Sequence, residues 1–311
     1  TLLLQLARGA GVKGLAGMAV VDDKKNILRP LLQSKKSDIF HYANQHKLSW
    51  CEDDSNDNTN FERNFLRHDI LPIWAERHSA IDQNIARSAT HLAEAATLLE
   101  ELATIDGEAL VNENSLCLAG LQKITIPRAK NVLRWWFGRF GVAMPNTAYL
   151  NEILAQLFSA KSNAHIVMNL GDFSLRRFKQ RAYLCEAAKF NLTPFIWQGE
   201  ESVVLPQGTL FFKRTQGAGL LRVNTQAALS VAFRHGGERI KLAENRPART
   251  QKYLMQENNI PPWVREGWPL VYLNGQLVCV PSIGVAYDLQ TQQDEEGLLI
   301  FFLDSTPSLL K

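Results

Sequence analysis

Residues 51–72 read C-E-D-D-S-N-D-N-T-N-F-E-R-N-F-L-R-H-D-I-L-P. An acidic, Asn-rich loop (Asp53, Asp54, Asn56, Asp57, Asn58, Asn60) runs straight into Arg63, Asn64 and Arg67. On a helix, the Arg63/Arg67 spacing puts both guanidinium groups on one face. Such a face suits phosphate or carboxylate. The plainer reading is a solvated loop followed by a helix N-terminus with Asn60 as its cap. The residues alone leave both readings open.

Upstream of this stretch, residues 1–8 have the pattern of a helix end, stopped by Gly9 and Gly11. The chain opens on Thr1 inside an apolar helical pattern, with Leu2, Leu3 and Leu6 turned toward a core that no earlier element supplies. The expectation is a fragment, or a product whose upstream part is missing. The run Ile27-Leu28-Arg29-Pro30-Leu31-Leu32 suits an edge or a strand end, because proline cannot donate to a ladder. Ser34, Ser37 and Asp38 signal a helix start, with a stripe from Ile39 to Ala43. Downstream, a helix from Asn64 to Trp74 is expected to break near Pro72. Ile81, Ile85, Ala89, Leu92, Ala96, Leu99 and Leu102 repeat at three and four residues, predicting a long amphipathic helix over 80–104.

Farther on, Pro127 precedes a helix whose apolar face is Ala129, Val132, Leu133, Trp136, Phe137 and Phe140, and 150–158 forms a second. Two runs around Asp172 then read as paired strands carrying Arg176, Arg177, Lys179 and Arg181. These charges either track a nucleic-acid backbone or guard an edge strand against aggregation. Residues 191–208 read as a linker with some strand, and from Thr209 the chain is largely β. Asn274-Gly275 between apolar runs signals a hairpin with a type I′ turn.

Composition narrows the classes. A length of 311 residues with 46% hydrophobic content is ample for two or three domains. No apolar run approaches the ~20 residues that span a bilayer. Cys51, Cys117, Cys185 and Cys279 form no C-x-x-C, and no H-x-x-H occurs, so metal support is poor and reduced thiols in a cytoplasmic setting are expected. Net charge is only +3, but residues 213–265 carry ten basic residues against three acidic ones. That local excess is a plausible phosphate footprint.

Three segments change the odds. T-L-L-L-Q-L-A-R-G-A-G-V-K-G-L-A-G-M with L-R-P-L-L, then D-D-S-N with R-N-F-L-R, then G-G-E-R-I-K-L with Q-K-Y-L-M-Q-E-N-N-I-P-P-W-V-R occur in one order. Together they resemble the tRNA(Ile)-lysidine synthetase family, over nearly the whole chain. The resemblance implies an α/β remnant of a Rossmann-like PP-loop domain, followed by a mostly helical α+β domain and a C-terminal β-rich α+β domain. It places the C-terminal part of the catalytic domain at 1–78, a linking helix at 79–104 and a tRNA substrate-binding domain at 105–190. A linker at 191–208 and a C-terminal tRNA-binding domain at 209–311 follow.

The implied activity is ATP- and Mg²⁺-dependent adenylation of the wobble cytidine C2 in the CAU anticodon of tRNA(Ile), then displacement of AMP by L-lysine. Some members are homodimers. The implied tRNA or phosphate contacts are Arg8, Asp54, Asn56, Arg63, Asn64 and Arg67. Arg63 or Arg67 would hold a phosphate or the wobble nucleotide; Asp54 and Asn56 would order the loop, with Asp54 pairing to an arginine, and Asn64 stands either as a contact or as a hydrogen-bonding residue at the helix start. Arg176 and Arg177 on the hairpin, and Arg239, Arg249 and Lys252 in the C-terminal part, complete the set. The family's S-G-G-x-D-S loop and H-H-x-D-D-x-x-E segment do not occur in these residues, so inactivity of the chain alone is expected. Two other readings stand beside this one: a non-catalytic RNA-binding module, and another PP-loop tRNA-modifying enzyme such as a thiolation enzyme.

Overall fold

A computed structural model describes residues 1–22, 25–51, 53–112, 114–159, 166–186, 190–221 and 228–304, and of Asp54 only the backbone. The chain divides into two compact units, 1–106 and 107–311.

The first unit is mainly helical. Short helices Leu2–Ala7 and Val12–Leu15 precede a two-stranded antiparallel pair, Val21–Asp22 with Ile27–Leu28. Helix Lys36–Gln45 follows, and then a single 3-10 turn, Asp54–Asp57. The helix expected to break at Pro72 does not break. It runs as Glu62–Phe65, a π-helical turn Leu66–Ile70, and Leu71–Arg77. The Leu71 N–H reaches back five residues to the Leu66 carbonyl. The cause is steric: a proline ring collides with the carbonyl four residues before it, here that of His68, and a widened turn relieves the collision.

The long helix spans Ile81–Glu108. Its partly shielded stripe includes Ile81, Ile85, Ala89, Leu92 and Ala96, as the three-four spacing requires. It passes beyond 104 through Gly107, where an added Cβ would lie 2.3 Å from the Trp135 ring. Gly107 is therefore a packing glycine within the helix. No helix among the described residues is long and apolar enough to cross a membrane.

The second unit holds two hydrophobic cores. In the first, helices Ile126–Arg139 and Thr147–Ser159 lay Val132, Leu133, Trp136, Phe137, Leu150, Ile153 and Leu157 against a five-stranded antiparallel sheet. That sheet runs in the order Val111–Asn112, Ser115–Cys117, Arg181–Glu186, Phe173–Phe178, Val167–Leu170.

The second core lies between two more antiparallel sheets. One orders Leu220–Leu221, Glu296–Asp304, Gly208–Gln216, Ser202–Leu205. The other orders Gly284–Val285, Gln276–Val280, Leu270–Leu273, Leu229–Ala232, Phe195–Ile196. Residues 191–208 thus contribute a strand to each sheet, because Phe195, Trp197 and Val203 pack on this core. Asn274 and Gly275 have φ of 51° and 79°, the pair of positive values that a type I′ turn demands. A strand pair, Arg239–Ile240 with Arg249–Thr250, leads into helix Gln251–Glu257, whose first turn is capped by the Thr250 hydroxyl.

Candidate functional site

The acidic loop is not a loose connector. Asp53 accepts the Ser55 N–H through Oδ1 at 2.9 Å, and those bonds hold its carboxyl below the ordinary carboxylate range. Asn58 Oδ1 accepts the Asn60 N–H at 3.0 Å. The expected Asn60 cap therefore moves: the residue preceding the helix is Phe61, which makes no side-chain cap. Asn60 itself is held by the turn that Asn58 builds.

Asn64 closes the arrangement. Its Nδ2 donates to the Ser55 carbonyl at 2.9 Å and to the Asn58 carbonyl at 3.0 Å. Among described residues 1–102 its side chain is the only buried one, at 7% exposure. A buried amide with both donors engaged in its own loop is a clamp, so Asn64 is removed from the surface set as a direct RNA contact. One turn on, His68 Nε2 lies 3.2 Å from the Asn56 carbonyl and 4.0 Å from Asp57 Oδ1. Sequence reasoning missed His68. Its signal was the i+4 spacing from Asn64, which puts both on the face that meets the loop.

With that face occupied, Arg63 and Arg67 project from the neighbouring one, and both are exposed. Asn56 is exposed, and its carbonyl, not its amide, is what the His68 contact uses. The pairing of Asp54 with an arginine concerns a side chain outside the described ones. Arg8 is exposed at the end of the first helix.

The hairpin arginines divide. Arg177 is 6% exposed, and its guanidinium donates to the Leu157 carbonyl at 3.0 Å and the Lys179 carbonyl at 3.3 Å. It is an internal tie between helix and sheet, out of reach of a surface phosphate. Arg176 is half-buried, bonds Ser174 Oγ at 3.0 Å, and lies 5.6 Å from the centroid of the Trp263 ring. Phe178 and Tyr183 meet that same ring edge-on, and Lys179 bonds Asn259.

The C-terminal patch is thinner than its composition. Arg265 is 6% exposed and donates to the Ile260 carbonyl at 2.7 Å. Arg249 pairs with Glu257 at 3.0 Å and stacks 4.6 Å over Tyr253, while Arg239 donates to the Ala248 carbonyl at 3.0 Å. Lys252 is exposed, and Arg222 lies outside the described residues.

The cysteines are separate thiols, with Cys51 exposed and Cys185 and Cys279 buried. Burial pushes the Cys185 thiol up to about 11, against the pull of Arg176, and the Cys279 thiol up to about 12. Thiolate is the reactive form. A thiol reagent at pH 8 is therefore expected to label Cys51 quickly and to leave Cys185 and Cys279 unmodified until denaturant is added; prompt labelling of either buried thiol in the native chain would contradict this packing. Among the described residues no three His, Cys, Asp or Glu side chains gather as a metal set.

Three family descriptions match the chain in order: a PP-loop domain over residues 1–74, a TilS substrate binding domain over 116–183 and a TilS substrate C-terminal domain over 229–301. The chain is 39% identical over 311 residues to the tRNA(Ile)-lysidine synthase of Nitrosomonas europaea, covering 96% of this chain and 68% of that protein. It is 37% identical to the Coxiella burnetii synthase over 303 residues, with the same two coverages. To a Legionella pneumophila synthase it is 36% identical over 291 residues, covering 92% and 67%. With an N-terminal PP-loop match, mixed α/β content and identity of this level running through both units, the chain belongs to the tRNA(Ile)-lysidine synthase family.

Proposed function

We propose that the chain serves a tRNA-modifying ligation in which ATP activates C2 of the wobble cytidine in the CAU anticodon of tRNA(Ile), and L-lysine displaces AMP from the adenylated tRNA to form lysidine. The observation that carries this reading is the sustained similarity to tRNA(Ile)-lysidine synthases across the chain. In it, residues 1–78 are the C-terminal part of the PP-loop catalytic domain and 79–104 the linking helix. The tRNA substrate-binding domain occupies 105–190. The C-terminal tRNA-binding domain takes in the strands within 191–208 as well as 209–311.

Each part has a physical task. Asn64 and His68 hold the 53–60 loop, and thereby fix the helix from which Arg63 and Arg67 project. Two guanidinium groups on one helix offer forked donors to a phosphate. Arg8, Arg176, Arg239 and Lys252 add charge for the RNA backbone. ATP and Mg²⁺ belong, in this reading, to the S-G-G-x-D-S and H-H-x-D-D-x-x-E segments, neither of which occurs in residues 1–311. On that reading the 311 residues alone are expected to bind tRNA without forming lysidine.

The test joins residues 1–311 behind a segment carrying the S-G-G-x-D-S loop and measures lysidine formed on a tRNA(Ile) transcript. Arg63→Ala and Arg67→Ala are each expected to lower kcat/KM about tenfold to a hundredfold, the worth of a lost charge-assisted pair, with melting unchanged. Full activity in both variants would sink the assignment. Binding of tRNA with no lysidine from the joined chain would favour the RNA-binding module instead.

A further inference from the structure

The C-terminal region contains a cavity that none of the contacts above explains. Its volume is about 320 Å³, and Ile240, Leu242, Leu254 and Ile283 supply apolar lining beside Pro247. Arg246, Arg249, Glu257 and Asn258 also line it. That size is at the small end of the ~300–1,000 Å³ typical of small-molecule sites. That volume is of the order of one nucleotide.

The polar groups are arranged unequally. Arg249 is committed, paired with Glu257 Oε2 at 3.0 Å and stacked on Tyr253. Asn258 spends its Nδ2 on the Leu254 carbonyl at 2.9 Å. Arg246 is exposed and has no side-chain partner among the described residues. The Glu257 oxygen that Arg249 does not take, Oε1, likewise has no hydrogen bond among the described residues. The cavity therefore presents an apolar floor, one uncommitted guanidinium and one uncommitted carboxylate oxygen held in place by an arginine.

We infer that this cavity binds a single unpaired nucleotide of the RNA substrate, with the phosphate on Arg246, the base on Ile240, Leu254 and Ile283, and the base's exocyclic amine donating to Glu257. The inference rests on the tRNA-binding role proposed for this part of the chain. A carboxylate is the natural acceptor for such an amine, so a cytosine or adenine base is preferred over uracil, which has none.

The probes are CMP, UMP, ribose 5-phosphate and L-lysine, followed by saturation-transfer NMR on the 311-residue chain, with tRNA binding measured in parallel. CMP is expected to bind several-fold more tightly than UMP, and ribose 5-phosphate more weakly than either. Arg246→Glu, at an exposed position that folding tolerates, should weaken CMP about tenfold or more. Glu257→Gln should bring CMP and UMP together. Equal binding of CMP and ribose 5-phosphate would reduce the cavity to a plain anion site and overturn the proposal. So would CMP binding that survives Arg246→Glu unchanged, or L-lysine binding in place of the nucleotides. Binding of tRNA without any CMP signal defeats the pocket while leaving the functional reading standing. CMP binding with the stated preferences but no tRNA binding does the reverse.

Discussion

Replacing Trp268 with alanine is expected to cost about 3–5 kcal/mol, the range for removing a large buried aromatic side chain. Trp268 is 1% exposed, its indole meets Phe302 edge-on at 5.0 Å, and its Nε1–H donates to the Pro281 carbonyl at 3.1 Å. Phe302 is on the long strand of one sheet, and Trp268 stands just before the Leu270–Leu273 strand of the other. The ring is thus a wedge between two sheets, and its loss leaves a cavity that neither sheet can collapse into without bending. Trp268→Phe keeps most of the volume but strands the Pro281 carbonyl, at about 1–2 kcal/mol. Denaturant unfolding followed by near-ultraviolet circular dichroism separates the two. An alanine variant within about 1 kcal/mol of the parent chain would mean that Trp268 does not join the sheets.

The second large effect is local. Asn64→Asp preserves the shape of the side chain while replacing its two-donor amide with an acceptor. The Ser55 and Asn58 carbonyls then lose their partners and face a carboxylate instead. A buried acceptor left unpaired costs about 1–3 kcal/mol, and two such carbonyls are at stake. The loop from 53 to 60 is expected to open, with proteolysis there rising about tenfold or more, while the second unit melts as before. Amide hydrogen exchange at Ser55 and Asn60 is the finer readout. Unchanged protection at both would show that the clamp is dispensable. In the joined enzyme the same substitution should lower lysidine formation through Arg63 and Arg67, whose helix it releases.

What was legible in the sequence follows from which forces are local. The Ile81–Glu108 helix and the Asn274-Gly275 turn were readable because periodicity and φ preference act over a few residues. Pro72 was readable as a disturbance but not as a widened turn, because the choice between breaking and widening depends on what the two flanks pack against. Some strand was readable within 191–208, but not where it lies or what it pairs with, since the partners, Leu229–Ala232 and Gly208–Gln216, come later in the chain.

The candidate site was harder still. The spacing of Arg63 and Arg67 made their shared helix readable, and both are exposed. The inward turn of Arg177 was not readable, because a strand arginine reads as surface charge until the helix carbonyl that receives it, that of Leu157, is known. Asn64 belonged to the right motif, but its partners lay nine and six residues back, in a loop whose own turns had to form first.

The π-helical turn at Leu66–Ile70 is, in effect, a spare residue. Each helical residue advances the side-chain direction by about 100°, so deleting one from a regular helix re-aims everything beyond it. Here the surplus is confined to one turn. Removing Asp69 together with Pro72→Ala would let the flanking segments join as a continuous α-helix, with Arg63 and Asn64 upstream and Trp74 downstream keeping their bearing. The helix can therefore change length by one residue at this place without turning Arg63 and Asn64 away from Trp74 and the segment beyond.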